Sequence, residues 1–111
     1  MGDITTLNQN KDFNRAYSKG RSYVCHALVV YIIKNYKKGT RIGITTSKKI
    51  GNAVERNRAR RVIKEAYRQI APKISGNFDI VFVARRPATN TLSTKIMEQM
   101  LKQLKLAGLV S

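Results

Sequence analysis

A chain of 111 residues with 22 Lys and Arg against 6 Asp and Glu carries a formal charge of +16, so it repels itself unless a polyanion neutralises it. One cysteine and one histidine exclude an intrachain disulfide and a soft-ligand metal site, and the length fits one domain that needs no staple. The longest apolar run, Ala27 to Ile33, is far below the roughly 18 residues of a spanning helix, and no basic-then-apolar leader opens the chain; a protein of the reducing cytoplasm, neither exported nor held in a membrane, is expected.

Met1 to Gln9 is polar and without periodicity, which predicts a loose leader contributing only Leu7 to a core. Asn10 is placed to cap a short helix through Lys19, with Phe13, Ala16 and Tyr17 on one face and Gly20 as its stop. Two aromatics at this spacing are more often core than ligand platform. From Arg21 to Asn35, β-branched and aromatic residues predict strand in two pieces that break near His26. Leu28, Val30 and Ile32 point one way and Val29, Tyr31 and Ile33 the other, so neither face is wholly solvated. One face can pack on a helix while the other floors a groove. Tyr36 to Thr40 reads as a turn into a strand from Arg41 to Thr46, antiparallel to the one before it.

The most informative stretch follows, Ser47 to Arg68, SKKIGNAVERNRARRVIKEAYR. Gly51 can take a positive φ, and Asn52 with Glu55 has the spacing of a capping box, so a helix is predicted from Asn52. Ala59, Val62, Ile63, Ala66, Tyr67 and Ile70 recur at offsets of 3, 4, 7, 8 and 11 and make one apolar face. Arg56, Asn57, Arg60, Arg61, Lys64 and Arg68 occupy the opposite face, and Arg58 lies at its rim. Arginine predominates, which suits planar, bidentate contact with phosphate. The free amides of the helix start, with Lys48 and Lys49 before them, suggest a second anion site. A basic helix face by itself is as compatible with plain solvation as with a partner.

Pro72 is expected to stop this helix by disfavouring the helical conformation at Ala71. The Ser75-Gly76-Asn77 turn then leads to a buried strand, Phe78 to Ala84, which ends at Arg85-Arg86-Pro87. Thr91 and Ser93 are candidate caps of a last helix, about Ser93 to Leu106. Its core stripe is Ile96, Met97, Met100, Leu101 and Leu104, and Gly108 ends it. The order of elements gives an α+β fold, with helices on an antiparallel or mixed sheet.

Ser47 to Arg61 fits, without a gap, a pattern similar to S-K-K-x-G-N-A-V-x-R-N-R-x-[KR]-R. In this the chain resembles the bacterial ribonuclease P protein subunit, the small basic protein that works beside a catalytic RNA to mature the 5′ ends of precursor tRNAs. Lys11 to Gly20, KDFNRAYSKG, looks like that family's first helix, and Ala84 to Ala88, ARRPA, like its A-R-[KR]-P-A segment. The resemblance covers roughly Asn10 to Leu104. It implies a single domain of αβββαβα order with helices packed on a four-stranded sheet, ribosomal protein S5 domain 2-like, with a left-handed βαβ crossover. Residue pattern alone predicts a right-handed one.

By the same resemblance, Phe13, Tyr17 and Tyr31 line a cleft for the single-stranded 5′ leader of precursor tRNA; Arg15 is a weaker candidate for a phosphate contact there, and Arg85 and Arg86 of the ARRPA segment are assigned to the same cleft. Stacking on aromatic rings tolerates any base, as a leader binder requires. Arg56, Asn57, Arg58, Arg60 and Arg61, supported by Lys48, Lys49, Lys64 and Arg68, are implied to meet the catalytic RNA. The family's usual basic N-terminal arm has no counterpart before Lys11, so its contacts are not carried over.

No catalytic residue is expected in the chain itself. Its carboxylates, Asp3, Asp12, Glu55, Glu65, Asp79 and Glu98, are scattered where a two-metal nuclease needs them clustered, and His26 has no evident acid-base partner. The expectation is an accessory subunit of an endoribonuclease, with Mg²⁺ acting through the RNA subunit and no cofactor bound by the protein. Its partners are then the catalytic RNA and precursor tRNA, with no membrane and no obligate protein partner. The alternative is a ribosomal or general RNA-chaperone protein, which explains the charge but not the Ser47 to Arg61 match. A helix-turn-helix reader is disfavoured because strand residues precede the basic helix, and a membrane-surface helix because the apolar face is needed for the core.

Overall fold

Alternation of two apolar faces along the strands and one apolar stripe along each helix forces a layered packing, which the computed structural model of the protein describes for residues 5–36 and 39–111. The elements are β1 (Thr5–Thr6), α1 (Asn10–Lys19), β2 (Arg21–Val24), β3 (Leu28–Lys34), β4 (Arg41–Thr45), α2 (Ala53–Ile70), β5 (Phe78–Ala84) and α3 (Ser93–Leu106). Short 3-10 turns lie at Lys48–Ile50, Ala71–Lys73 and Arg86–Thr89. The sheet order is β1-β4-β5-β3-β2. Strands β2 to β5 are the expected four, and β1 adds a two-residue edge. The break near His26 falls between β2 and β3, as expected.

Two features of the sheet depart from the sequence reading. Residues 5–9 are not a loose leader: β1 runs parallel to β4, and Leu7 is buried with its N–H donating to the Ile42 carbonyl at 2.7 Å. Met1 to Ile4, and Lys37 and Lys38 of the expected turn, lie outside the described residues. The second departure is that β4, though opposite in direction to β3, does not pair with it. Strand β5 lies between them, antiparallel to β3 and parallel to β4. Strand β5 is the most completely buried, with only Phe78 and Val83 reaching half-burial, so it belongs at the centre. Helix α2 is the crossover between the parallel neighbours β4 and β5.

Helices α2 and α3 cover one face of the sheet. Leu28, Val30, Ile80 and Phe82 meet Ala59, Ile63 and Tyr67 of α2 and Ile96, Met100 and Leu104 of α3 there. The Tyr67 and Phe82 rings stand 5.6 Å apart, and each fully buried large side chain contributes about 1.5–3 kcal/mol. The other face is only partly covered, by α1. Ala16 and Leu7 pack on Val81 there, while Phe13, Tyr31, Ile33 and Val83 stay half-buried.

The ends of the helices show which local signals decide. Glu55 N–H donates to Asn52 Oδ1 at 2.9 Å, and Asn52 N–H to Glu55 Oε1 at 3.1 Å, so the capping box is complete. At Gly108, φ is +88°, and the N–H groups of Gly108 and Leu109 donate to the carbonyls of Lys105 and Leu104, closing α3 in a Schellman motif. Other ends differ from expectation. Asn10 is already helical and Gln9 holds the cap position. Gly20 has φ −78°, and what it supplies is room, since a Cβ there would collide with the Ala16 carbonyl. Ala71 before Pro72 keeps helical angles and the chain tightens into a 3-10 turn, because Pro in a first turn gives up no hydrogen bond. Thr91 donates instead to the Pro87 carbonyl at 2.5 Å, and Ser93 is the first residue of α3, so neither caps it.

Candidate nucleic-acid interface

The face of the sheet only partly covered by α1 is where Phe13, Tyr17 and Tyr31 come together. On α1, Phe13 and Tyr17 are one turn apart with ring centroids separated by 6.5 Å. Tyr17 meets Tyr31 of β3 edge-on at 5.1 Å, and its hydroxyl shares a 2.8 Å hydrogen bond with Thr45 Oγ1 of β4. Phe13 reaches the sheet because residue 43 is glycine: a Cβ there would lie 2.5 and 2.6 Å from two Phe13 ring carbons. A glycine inside a predicted strand is a sequence signal of such close approach. Tyr17 is 38% exposed, so the groove is open to solvent.

A buried carboxylate fixes the helix that carries these rings. Asp79, fully buried at the start of β5, accepts from Arg41 Nε at 2.9 Å and Nη2 at 2.7 Å, and from Asn35 Nδ2 at 2.8 Å. Arg41 Nη2 also lies 3.5 Å from Asp12 of α1, and Arg15 Nη1 lies 3.9 Å from Asp79. Hydrogen bonding to Asp79 holds the Arg41 guanidinium above its ordinary pKa. Arg15 also donates to the Lys34 carbonyl at 3.2 Å. Its role is therefore to tie α1 to β3 and β5. Nothing local in the sequence marks Asp79 as the hub, because its partners lie 38 or more positions away.

On α2, Asn57, Arg58, Arg60, Arg61, Lys64 and Arg68 are exposed and Arg56 is half-buried. Three of the arginines are pinned: Arg56 Nη1 donates to the Gly51 carbonyl at 2.8 Å, Arg58 Nε to the Thr89 carbonyl at 2.9 Å, and Arg60 Nη2 to Thr46 Oγ1 at 2.9 Å. A guanidinium has five donors, so each keeps others for a phosphate while its orientation is set in advance. Arg60 also reaches Asn57 Oδ1 at 3.4 Å, and Arg68 pairs with Glu65 at 3.5 Å. The anion site expected at the start of α2 is altered. The Asn52 and Glu55 amides are taken by the capping box, whose carboxylate sits there itself, leaving the exposed Lys48 and Lys49 as the cations of that turn.

Arg85 and Arg86 are not grouped with the aromatic rings. They line a hollow of about 510 Å³ with Ser47, Lys49, Ile50 and Ala84. Arg85 Nη1 donates to the Cys25 carbonyl at 2.8 Å and Arg86 Nη2 reaches the Lys49 carbonyl at 3.4 Å. The reason is topological: the end of β5 runs out beside the turn that follows β4, its parallel neighbour. Cys25 donates its thiol to the Leu28 carbonyl at 3.1 Å, and burial pushes its pKa up, which makes it a poor nucleophile.

Among the described residues no three of His, Cys, Asp and Glu gather as a metal site. Asp12 and Asp79 face Arg41, Glu55 caps α2, Glu65 pairs with Arg68 and Glu98 with Lys95. No helix among the described residues is long and apolar enough to cross a membrane.

The family model described as Ribonuclease P matches residues 1–107. The ribonuclease P protein component of Alkaliphilus metalliredigens is 40% identical over 111 residues, covering all of both chains. That of Clostridioides difficile is 50% identical over 80 residues, 71% of this chain and 70% of the relative. Among solved structures, the Staphylococcus aureus ribonuclease P protein superposes with a TM-score of 0.84 at 34% identity, over 98% of this chain and all of that one. The Thermotoga maritima protein gives 0.79 at 29% identity, over 90% and 94%. With a family model matched over residues 1–107, a relative 40% identical over the whole of both chains, and its basic helix on the shared fold, the chain belongs to the ribonuclease P protein family.

Proposed function

We propose that this chain acts in the cytoplasm as the protein subunit of a ribonuclease P ribonucleoprotein. Helix α2 and the Lys48–Lys49 turn bind the catalytic RNA, and the groove between α1 and the open sheet face binds the 5′ leader of precursor tRNA. Membership of the family implies a part in tRNA 5′ processing, and the geometry of the two surfaces supports their roles. One observation carries it. Consecutive residues at the end of β4 are held from opposite sides, Thr45 by Tyr17 and Thr46 by Arg60. The aromatic groove and the arginine face therefore meet along one edge, and a strand lying on the rings can pass directly to the cationic helix.

That arrangement suits a division of labour. The rings take bases of a single strand without choosing among them. The pinned arginines neutralise phosphates where leader and catalytic RNA come close, which lowers the demand for Mg²⁺. The hydrolytic chemistry itself, activation of water and stabilisation of the leaving oxygen, is supplied by Mg²⁺ held in the RNA. Among the described residues, this chain's own carboxylates are committed to arginines, a lysine and a cap. Mature tRNA, without a leader, gains nothing from the groove, and precursor is thereby preferred.

The test is cleavage of precursor tRNA by a bacterial ribonuclease P RNA at low Mg²⁺, with and without the protein. Stimulation of correct 5′ cleavage is expected; none with the cognate RNA would sink the reading.

A further inference from the structure

A third cationic surface lies away from both. Beyond the C-terminal end of α1, the side chains of Lys19, Arg21 and Lys34 ring a hollow of about 270 Å³ whose apolar wall includes Tyr23, Phe78 and Leu109. No Asp or Glu lines it, and none of its three cations is in a salt bridge among the described residues. Its position follows from the sheet. Strand β2 is the edge farthest from β4. Lys34 pairs with Phe78 at the start of β5, whereas Arg85 follows the end of that strand. The hollow thus occupies the corner opposite the Lys49 and Arg86 hollow.

From this we infer that the hollow is a nucleotide-binding site, taking one base against Tyr23 and Phe78 with its phosphate among Lys19, Arg21 and Lys34. The size argues for one unit of a single strand: it lies just below the roughly 300–1,000 Å³ of small-ligand pockets, too small for a duplex and large enough for a base. The composition argues for RNA over a lipid surface or an acidic peptide. Two half-buried aromatic side chains, Tyr23 and Phe78, offer ring surface, which suits stacking. A lipid headgroup would use only the cations. The inference builds on the reading of the chain as an RNA-binding subunit and adds a third point of grip, for a strand segment distinct from the leader.

Titration of the full ¹⁵N-labelled chain with uridine monophosphate, and separately with inorganic phosphate, tests it residue by residue. The nucleotide is expected to shift the amides of Arg21, Tyr23, Lys34 and Leu109, and to bind there about tenfold more tightly than phosphate, as one stacked base allows. In K19Q/R21Q/K34Q, whose exposed side chains can change without cost to the core, that site should weaken by about tenfold while shifts around Tyr17 persist. Unmoved amides at β2, or shifts that survive unchanged in the triple variant, overturn the inference. Equal affinity for phosphate and nucleotide overturns it too, leaving a bare anion patch. So does triple-variant loss of binding to phosphatidylglycerol vesicles without any nucleotide response, which would mark a membrane surface. These readouts are independent of precursor cleavage, so the subunit assignment and the third site stand or fall separately.

Discussion

Tyr17→Ala is expected to separate the proposed leader recognition from the other proposed contacts of the protein. Tyr17 sits at the centre of the groove, 38% exposed, edge-on to Tyr31 at 5.1 Å and hydrogen-bonded to Thr45. Removing a ring that stacks a base costs about 1–3 kcal/mol, or roughly 5- to 150-fold in affinity at about 1.4 kcal/mol per decade. The loss should fall on precursor tRNA alone, because on the proposed reading only the precursor has a strand to place on the ring. Tyr17→Phe is the control. It keeps the stacking surface and gives up the Thr45 hydrogen bond, a net contribution of about 0.5–1.5 kcal/mol at most, so precursor binding should change only a few-fold. The assay is equilibrium binding of labelled precursor and mature tRNA to the reconstituted ribonucleoprotein at fixed salt and in Ca²⁺, which slows cleavage. Equal losses for both ligands in Tyr17→Ala would refute the groove as a leader site and make Tyr17 a support for the RNA-facing surface.

The arginine face makes a different prediction: affinity for ribonuclease P RNA should fall steeply with salt, with a log-log slope of several units if roughly six or more phosphates are contacted, and a slope near zero would rule out an electrostatic interface. Asp79→Ala should lower stability by about 3–5 kcal/mol in urea unfolding, because it leaves the Arg41 guanidinium without its buried partner; a change under about 1 kcal/mol would mean the network contributes little. At high pH the relevant group is Tyr67, whose burial pushes its pKa from the ordinary 10 up to about 12. The folded state therefore keeps a proton that the unfolded state has lost, so the stability this hydroxyl contributes is intact below pH 10 and falls as pH rises toward 12. Relative to Tyr67→Phe, the wild-type chain should lose about 1.4 kcal/mol per pH unit across that window; parallel pH profiles would show that Tyr67 ionises freely in the fold.

The sequence by itself determined what depends on neighbours a few positions apart. The Asn52–Glu55 box, the apolar stripe from Ala59 to Ile70, the break near His26 and the Gly108 stop are all local, and α2, β5 and α3 have the expected boundaries to within a residue. The aromatic groove was legible only through the likeness of Lys11 to Gly20 to a known first helix, since the spacing of Phe13 and Tyr17 fits a core equally well. Tertiary structure decided the rest. That β5 enters between β3 and β4, that Thr5 and Thr6 extend the sheet, and that Arg85 and Arg86 join Lys49 instead of the rings all depend on which strand lies beside which. The Asp79 hub and the hollow at Lys19, Arg21 and Lys34 likewise draw on residues dozens of positions apart. Such contacts leave no periodic trace in a sequence, because periodicity records the face a residue turns toward and not the partner it meets there.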